Sequence, residues 1–190
     1  MHQLSEYVQE IASVAVATIA TDSLGNSVEL EEAVSRGIDL LSAARANNSK
    51  VLLVANGGSA AIASHVQNDL VKACGIRSMV FTEQPLLTAL ANDNGYDSVY
   101  QFPTNIWAEA DDVMIAISSS GRSENILSAV NAAKIHGMKV VTLSGFDEDN
   151  DLRKQGDVNL YSKSSKYGIV ENVHSIITHS ITDSLIQKNS

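Results

Sequence analysis

The sequence holds one cysteine, Cys74, in 190 residues. That excludes a disulfide framework within the chain, and equally a zinc site built from several thiolates. Basic residues are scarce too: thirteen Lys and Arg face twenty-two Asp and Glu, a formal charge of −9. Nucleic-acid binding rests on a basic surface that displaces phosphate counterions, so direct binding of DNA or RNA is not expected. Aromatic residues make up 5% of the chain. Tyr96, Tyr100, Phe102 and Trp107 read as core or subunit-contact groups, with no stacking platform for bases. No uncharged apolar run approaches the ~20 residues that span a bilayer. The start, Met1-His2-Gln3-Leu4-Ser5-Glu6, lacks the basic and apolar regions of a signal peptide. The expectation is a soluble, cytoplasmic protein without membrane contact.

What the chain does have is 44% hydrophobic residues, enough for one compact domain over residues 1–190. Its first part, residues 1–48, reads as a helical pair. Leu4, Val8, Ile11, Ala15 and Ile19 recur at helical spacing over 3–21, and Leu30, Val34, Ile38 and Leu41 do so over 29–46. The turn residues Asp22 to Asn26 separate them. Over residues 49–190 short apolar runs alternate with helical stretches. Strands are expected at 51–54, 78–82, 113–117, 139–143 and 158–161. Helices are expected near 60–73, 86–92, 97–109, 123–136 and 169–188. Such alternation implies right-handed crossovers and a parallel sheet covered on both faces. The fold class is α/β: a three-layer αβα sandwich on a parallel, about five-stranded flavodoxin-like sheet, preceded by two helices.

Two loops follow strands and open helices. One is Ala55-Asn56-Gly57-Gly58-Ser59; the other is Ser118-Ser119-Ser120-Gly121-Arg122-Ser123. Both stand where open α/β sheets bind ligands, beyond the carboxyl ends of the strands. An acidic protein must hold a phosphate with a local device, and glycines, hydroxyls and unpaired helix N–H groups supply one. Four hydroxyls in six residues exceed what a single N-cap at Ser123 requires. Neither loop is a Walker A or a G-x-G-x-x-G fingerprint, so no nucleotide cofactor is expected. A sugar phosphate suits the loop better.

These residues carry a resemblance. Strand, Asn56-Gly57-Gly58-Ser59, helix, strand, Ser118-Ser119-Ser120-Gly121-Arg122-Ser123, helix resembles the sugar isomerase (SIS) domain. Within it the chain is similar to the phosphoheptose isomerases over nearly its whole length, including Ala91-Asn92-Asp93 and the last helix. The resemblance implies conversion of sedoheptulose 7-phosphate to D-glycero-D-manno-heptose 7-phosphate. It implies that Ser118, Ser119, Ser120 and Ser123 hold the phosphate, with Asn56, Ser59 and Asp93 on the sugar hydroxyls; Gly57 and Gly58 join the substrate-binding set, as glycines that let the backbone approach the anion. It implies a homotetramer with active sites at subunit boundaries. In other branches the same fold senses sugar phosphates or binds the replication initiator DnaA, so a non-catalytic role or another sugar phosphate is the alternative.

His65 and Asp69 lie four apart and share a helix face, while Glu171, His174 and His179 fall in the last helix. Moving a proton between neighbouring carbons suits a carboxylate and an imidazole. By the resemblance Asp69 is the base and His179 the second acid–base group. His65, Asp69, Glu171 and His179 are the residues that hold one zinc ion per site in some members, and Glu171 also borders the substrate. His174 reads as an ordinary buried histidine. Three positions depart from the family: Asp69 stands for the usual glutamate, Glu171 for glutamine, and Ala73, beside Lys72, for a substrate-binding arginine. Asp147-Glu148-Asp149-Asn150-Asp151 reads as a solvated turn, and Cys74 as structural. Lys163, Lys166 and Tyr167 precede the last helix, at the edge of the expected pocket.

Overall fold

A computed structural model describes residues 3–188. Its elements, in chain order, are α1 (Leu4–Val16), β1 (Ile19–Asp22), β2 (Ser27–Val28), α2 (Leu30–Ala46), β3 (Lys50–Ala55), α3 (Gly57–Lys72) and β4 (Arg77–Val80). They continue with α4 (Gln84–Asp93), α5 (Gln101–Trp107), β5 (Val113–Ser118), α6 (Glu124–Ile135), β6 (Lys139–Ser144), β7 (Val158–Tyr161) and α7 (Tyr167–Gln187). The sheet order is β2-β1-β7-β6-β5-β3-β4. From β3 to β7 every pairing is parallel. Taken alone, those five strands run in the flavodoxin-like order, in which the chain reverses direction across the sheet between β3 and β5.

All residues of β3 and β5 are buried, as a strand covered on both faces requires. Their side chains divide between two cores with a period of two. Val51, Leu53, Ile115 and Ile117 meet Ala63, Val66, Leu70 and Ile177, from α3 and α7. Leu52, Val54, Met114 and Ala116 meet Leu90, Ile126 and Val130, from α4 and α6. Three layers result.

The N-terminal expectation needs correction. Helix α1 stops at Val16, and Ile19 begins a strand that pairs antiparallel with β7, Ile19 opposite Tyr161. Residues 22–26 do turn, but between two strands. The Asp22 carboxylate accepts the backbone N–H groups of Leu24 and Asn26, both at 2.9 Å. Thus the sheet gains two antiparallel strands beside the expected five. The expected helix over 97–109 is also divided, into a 3-10 turn at Tyr96–Ser98 and α5. No described helix is long and apolar enough to cross a membrane.

Candidate active site

Strands β3 and β5 are neighbours, so their two loops emerge side by side. They enclose a cavity of 340 Å³. Of the expected residues, Asn56, Gly57, Gly58, Ser59, Ser118, Ser119, Ser120, Ser123 and Glu171 line it. Asp93 does not. It ends α4, exposed to solvent, and its carboxylate accepts a hydrogen bond from the Asn92 side chain at 2.7 Å.

Neither helix that opens on the cavity is capped by its own side chain. Ser123 holds the N-cap position of α6 without capping it. Its hydroxyl lies 3.1 Å from that of Ser118, which in turn accepts the Gly121 N–H at 3.2 Å. Asn56 stands likewise at the start of α3. Its amide exchanges two hydrogen bonds with Asn125, at 2.9 and 2.8 Å, and so ties the two loops together. The Tyr100 hydroxyl donates to the Ala55 carbonyl at 2.5 Å, and burial pushes that phenol up to about 12, which keeps it a donor. Two uncapped helix N-termini therefore face one space, an arrangement that favours an anion. Ser119 Oγ is buried and has no hydrogen-bond partner among the described residues, a cost that a ligand oxygen would relieve.

No lysine or arginine lines the cavity. Arg122 turns outward to Asp149 at 2.9 Å and Asp147 at 3.5 Å. Lys166 pairs with Glu10 at 2.7 Å, and Lys163 with Glu148 at 3.8 Å. Of the three residues at 163, 166 and 167, only Tyr167 reaches the cavity.

The segment expected to be a solvated turn carries a structural residue. Asn150 is fully buried. Its amide donates to the Asp147 and Gly145 carbonyls at 2.8 and 3.2 Å, and its oxygen accepts the Arg153 N–H at 3.0 Å. That side chain fills the space where Gly121 would carry a β-carbon, and Gly121 has φ +63°. The serine loop is thus moulded against Asn150. Sequence reading missed Asn150 and Asn125; a lone asparagine among acidic residues gave little signal, whereas Asn125 two positions past the last loop serine gave some.

Helices α3 and α7 run parallel, side by side. At their starts the Glu171 carboxylate rests over Gly58. Further along both, His65, Asp69 and His179 converge. His65 Nε2 is 3.5 Å and His179 Nδ1 3.6 Å from Asp69 Oδ2, and the two rings meet edge-on at 4.9 Å. Asp69 is the least exposed of the three, with the histidines half open to solvent. Their ligand atoms all lie within 4.8 Å of one another. Zinc held by imidazoles and a carboxylate puts neighbouring ligand atoms about 3–4 Å apart, so the trio fits that ion. Glu171 is not part of it: eight residues separate it from His179, ~12 Å along the helix axis. Within one chain the expected four-residue metal set is three residues and a carboxylate elsewhere.

His174 is fully buried on the same helix and donates from Nε2 to the Ser144 carbonyl at 3.1 Å, leaving Nδ1 without a partner among the described residues. Burial pushes its imidazole down to about 4, against the smaller upward pull of that carbonyl. Cys74 is buried and free.

The family model of the SIS domain matches residues 11–145. A phosphoheptose isomerase of Bordetella avium (strain 197N) is 32% identical over 166 residues, 82% of this chain and 83% of that one. The chain belongs to the SIS-domain family, in its phosphoheptose isomerase branch. A second member of the branch, from Sulfurimonas denitrificans, is 38% identical over 145 residues, 73% of each chain. The structure of the phosphoheptose isomerase GmhA from Neisseria gonorrhoeae superposes with a TM-score of 0.82 at 26% identity, covering 95% of this chain and 96% of that one. These relatives are enzymes, and at that coarse level this SIS-domain protein is a sugar phosphate isomerase.

Proposed function

We propose that the chain converts sedoheptulose 7-phosphate to D-glycero-D-manno-heptose 7-phosphate through an enediol(ate). One observation carries the proposal. A phosphate cradle without side-chain cations opens beside the starts of α3 and α7, the two helices that carry an imidazole–carboxylate trio further along. The activity named for relatives at 32–38% identity supports the seven-carbon substrate.

In this reading Ser118, Ser119, Ser120 and Ser123 hold the phosphate, and Asn56, Ser59 and Glu171 border the sugar. Asp69 takes a proton from C1 of the ketose and returns it to C2. His179 protonates O2 and takes the O1 proton as the aldehyde forms, so both groups return to their starting state and hydrogen is conserved. His65 positions the Asp69 carboxylate. Zinc, where His65, Asp69 and His179 bind it, supplies polarisation of the substrate carbonyl. Asp93 stays outside the cavity of its own chain, and it enters the reading only as a group offered to a neighbouring copy.

The separation of cradle and trio supports a homotetramer in which one chain's trio serves another chain's cavity. Exposed apolar residues supply surface for such contacts: Leu4 and Val8 on α1, and Ile106 and Trp107 at the end of α5. The deciding experiment incubates the protein with sedoheptulose 7-phosphate, with and without added zinc, and follows the aldose product by NMR. Turnover supports the proposal. Binding without turnover in either condition removes it and leaves a non-catalytic sugar phosphate binder, the role that other SIS branches fill.

A further inference from the structure

Tyr167 and Glu171 stand one turn apart at the start of α7, and both line the cavity. Residues four apart share a helix face, so together they make one wall of the cavity that the serine loop also lines. That first turn is tightly placed. Glu171 rests on Gly58, the Val170 methyls would stand 2.8 and 2.9 Å from a β-carbon on Gly145, and the Tyr7 hydroxyl of α1 packs on Gly168. The Tyr167 ring meets Phe146 edge-on, centroids 4.8 Å apart. Phe146 is itself held in a left-handed conformation, φ +57°. Its N–H donates to the Ser164 carbonyl at 2.9 Å, and its carbonyl accepts the Tyr161 hydroxyl at 2.7 Å. A bulky residue at positive φ persists where its surroundings hold it there, and such places cluster at ligand clamps. Behind Tyr167, then, stands a fixed support.

The wall offers unused chemistry. Tyr167 is 61% exposed, and neither its hydroxyl nor the Glu171 carboxylate has a hydrogen-bond or ion-pair partner among the described residues. An ionised carboxylate accepts only, so it asks its ligand for hydroxyl donors; a phenol both donates and accepts. The ring adds an apolar face of the kind that lies against the C–H groups of a carbon chain.

We propose that Tyr167, supported by Phe146, is the residue by which the cavity distinguishes an extended polyol phosphate from phosphate alone or from a short phosphate ester. The serine loop holds the phosphate, the Tyr167 ring covers the adjoining carbons, and the Tyr167 hydroxyl and Glu171 carboxylate take the chain's hydroxyls. This rests on the reading of the cavity as a sugar phosphate site, and it adds a discriminating residue that phosphate binding does not require.

Titration calorimetry on the full chain tests it with three probes: inorganic phosphate, glycerol 3-phosphate and a hexitol 6-phosphate. The hexitol phosphate is acyclic and cannot isomerise, so binding is read without turnover. Wild type binds the hexitol phosphate more tightly than inorganic phosphate. Tyr167→Ala removes about tenfold of that preference, as loss of one well-placed contact residue does, and leaves inorganic phosphate within about twofold. Tyr167→Phe, which keeps the ring, retains part of the preference. An equal loss for all three probes would show a structural role and overturn the proposal, as would no loss for any of them. A wild type that shows no preference for the longer ester also overturns it. Preference for the hexitol phosphate, joined to absence of any isomerase activity, sinks the catalytic reading and leaves this one standing.

Discussion

A β-carbon at position 58 would stand 2.5 Å from Glu171 Oε1, so the carboxylate of α7 lies directly on the backbone that opens α3. Gly58→Ala must push that carboxylate aside. The helix itself favours the change, because alanine exceeds glycine in helix propensity by about 1 kcal/mol. Stability and activity should therefore part. The expected result is a melting temperature equal to or above wild type, with kcat/KM lowered about 100-fold, the scale of an ångström's misplacement in a site. Unchanged kcat/KM in the variant would show that Glu171 plays no part in turnover.

Ser119 gives the complementary test of the cradle. Its buried hydroxyl makes no hydrogen bond among the described residues, so Ser119→Ala removes an unsatisfied group. Thermal unfolding should stay level or rise by up to about 1 kcal/mol. KM and the dissociation constant for inorganic phosphate should increase about tenfold, since a hydrogen bond to a charged group contributes roughly 1.5–3 kcal/mol. Loss of stability with unaltered phosphate binding is the outcome that contradicts the cradle.

The parallel core was legible because β3, β5 and β6 are buried nearly throughout, which writes them as short apolar runs followed by glycine or serine loops. The hairpin was not. Ile19 falls four residues after Ala15, at helical spacing, and only its pairing with Tyr161 shows that it is a strand residue. Within the site, the serine loop and the His65–Asp69 pair are local patterns and could be read locally. Bringing His179 to them needs the 109 residues between Asp69 and His179 to fold. Asn150 was hidden for another reason: its neighbours are acidic and exposed, while its own side chain points inward to fill the space over Gly121. Composition describes a segment, and one residue in it went against the segment.

His174 makes stability depend on pH. Its folded value of about 4 lies below the ordinary 6.5, so the unfolded chain binds the additional proton between those values. Stability is complete above 6.5 and falls as pH drops toward 4. At pH 5 the loss from this group is about 2 kcal/mol relative to pH 7. Denaturant unfolding at the two pH values measures it. His174→Gln, which cannot titrate, should be less stable at pH 7 and should show a smaller drop. An equal drop in both proteins would assign the acid sensitivity to other groups.

Asp69 reaches its partners with a side chain one methylene shorter than glutamate, and it is only partly exposed beside two histidines. If it is the carbon base, Asp69→Asn lowers kcat about 1000-fold, within the range that a positioned acid–base group contributes. Asp69→Glu is the sharper variant. It extends the carboxylate by about an ångström, and where transfer distance limits the rate, kcat rises by about tenfold. Both variants should bind inorganic phosphate as wild type does, because the trio lies away from the cradle. A fall in phosphate affinity would mean that the substitutions disturb α3 as a whole.

The contact between Gly121 and Asn150 can be tested as a pair. Gly121→Ala introduces a β-carbon into the space of the Asn150 side chain and places it on a backbone with φ +63°. The left-handed conformation alone costs about 1–2 kcal/mol for a residue with a side chain. Asn150→Ala instead frees the room and removes the hydrogen bonds that fix the 145–153 segment against which the loop rests. Each single variant should lose stability and phosphate affinity. In the double variant the overlap is gone, so its destabilisation should fall short of the sum of the singles by about 1–2 kcal/mol, the coupling expected of residues in contact. Additive losses in a denaturant-unfolding cycle would mean that the loop does not rest on Asn150, and its shape would then have to come from the serine hydrogen bonds alone.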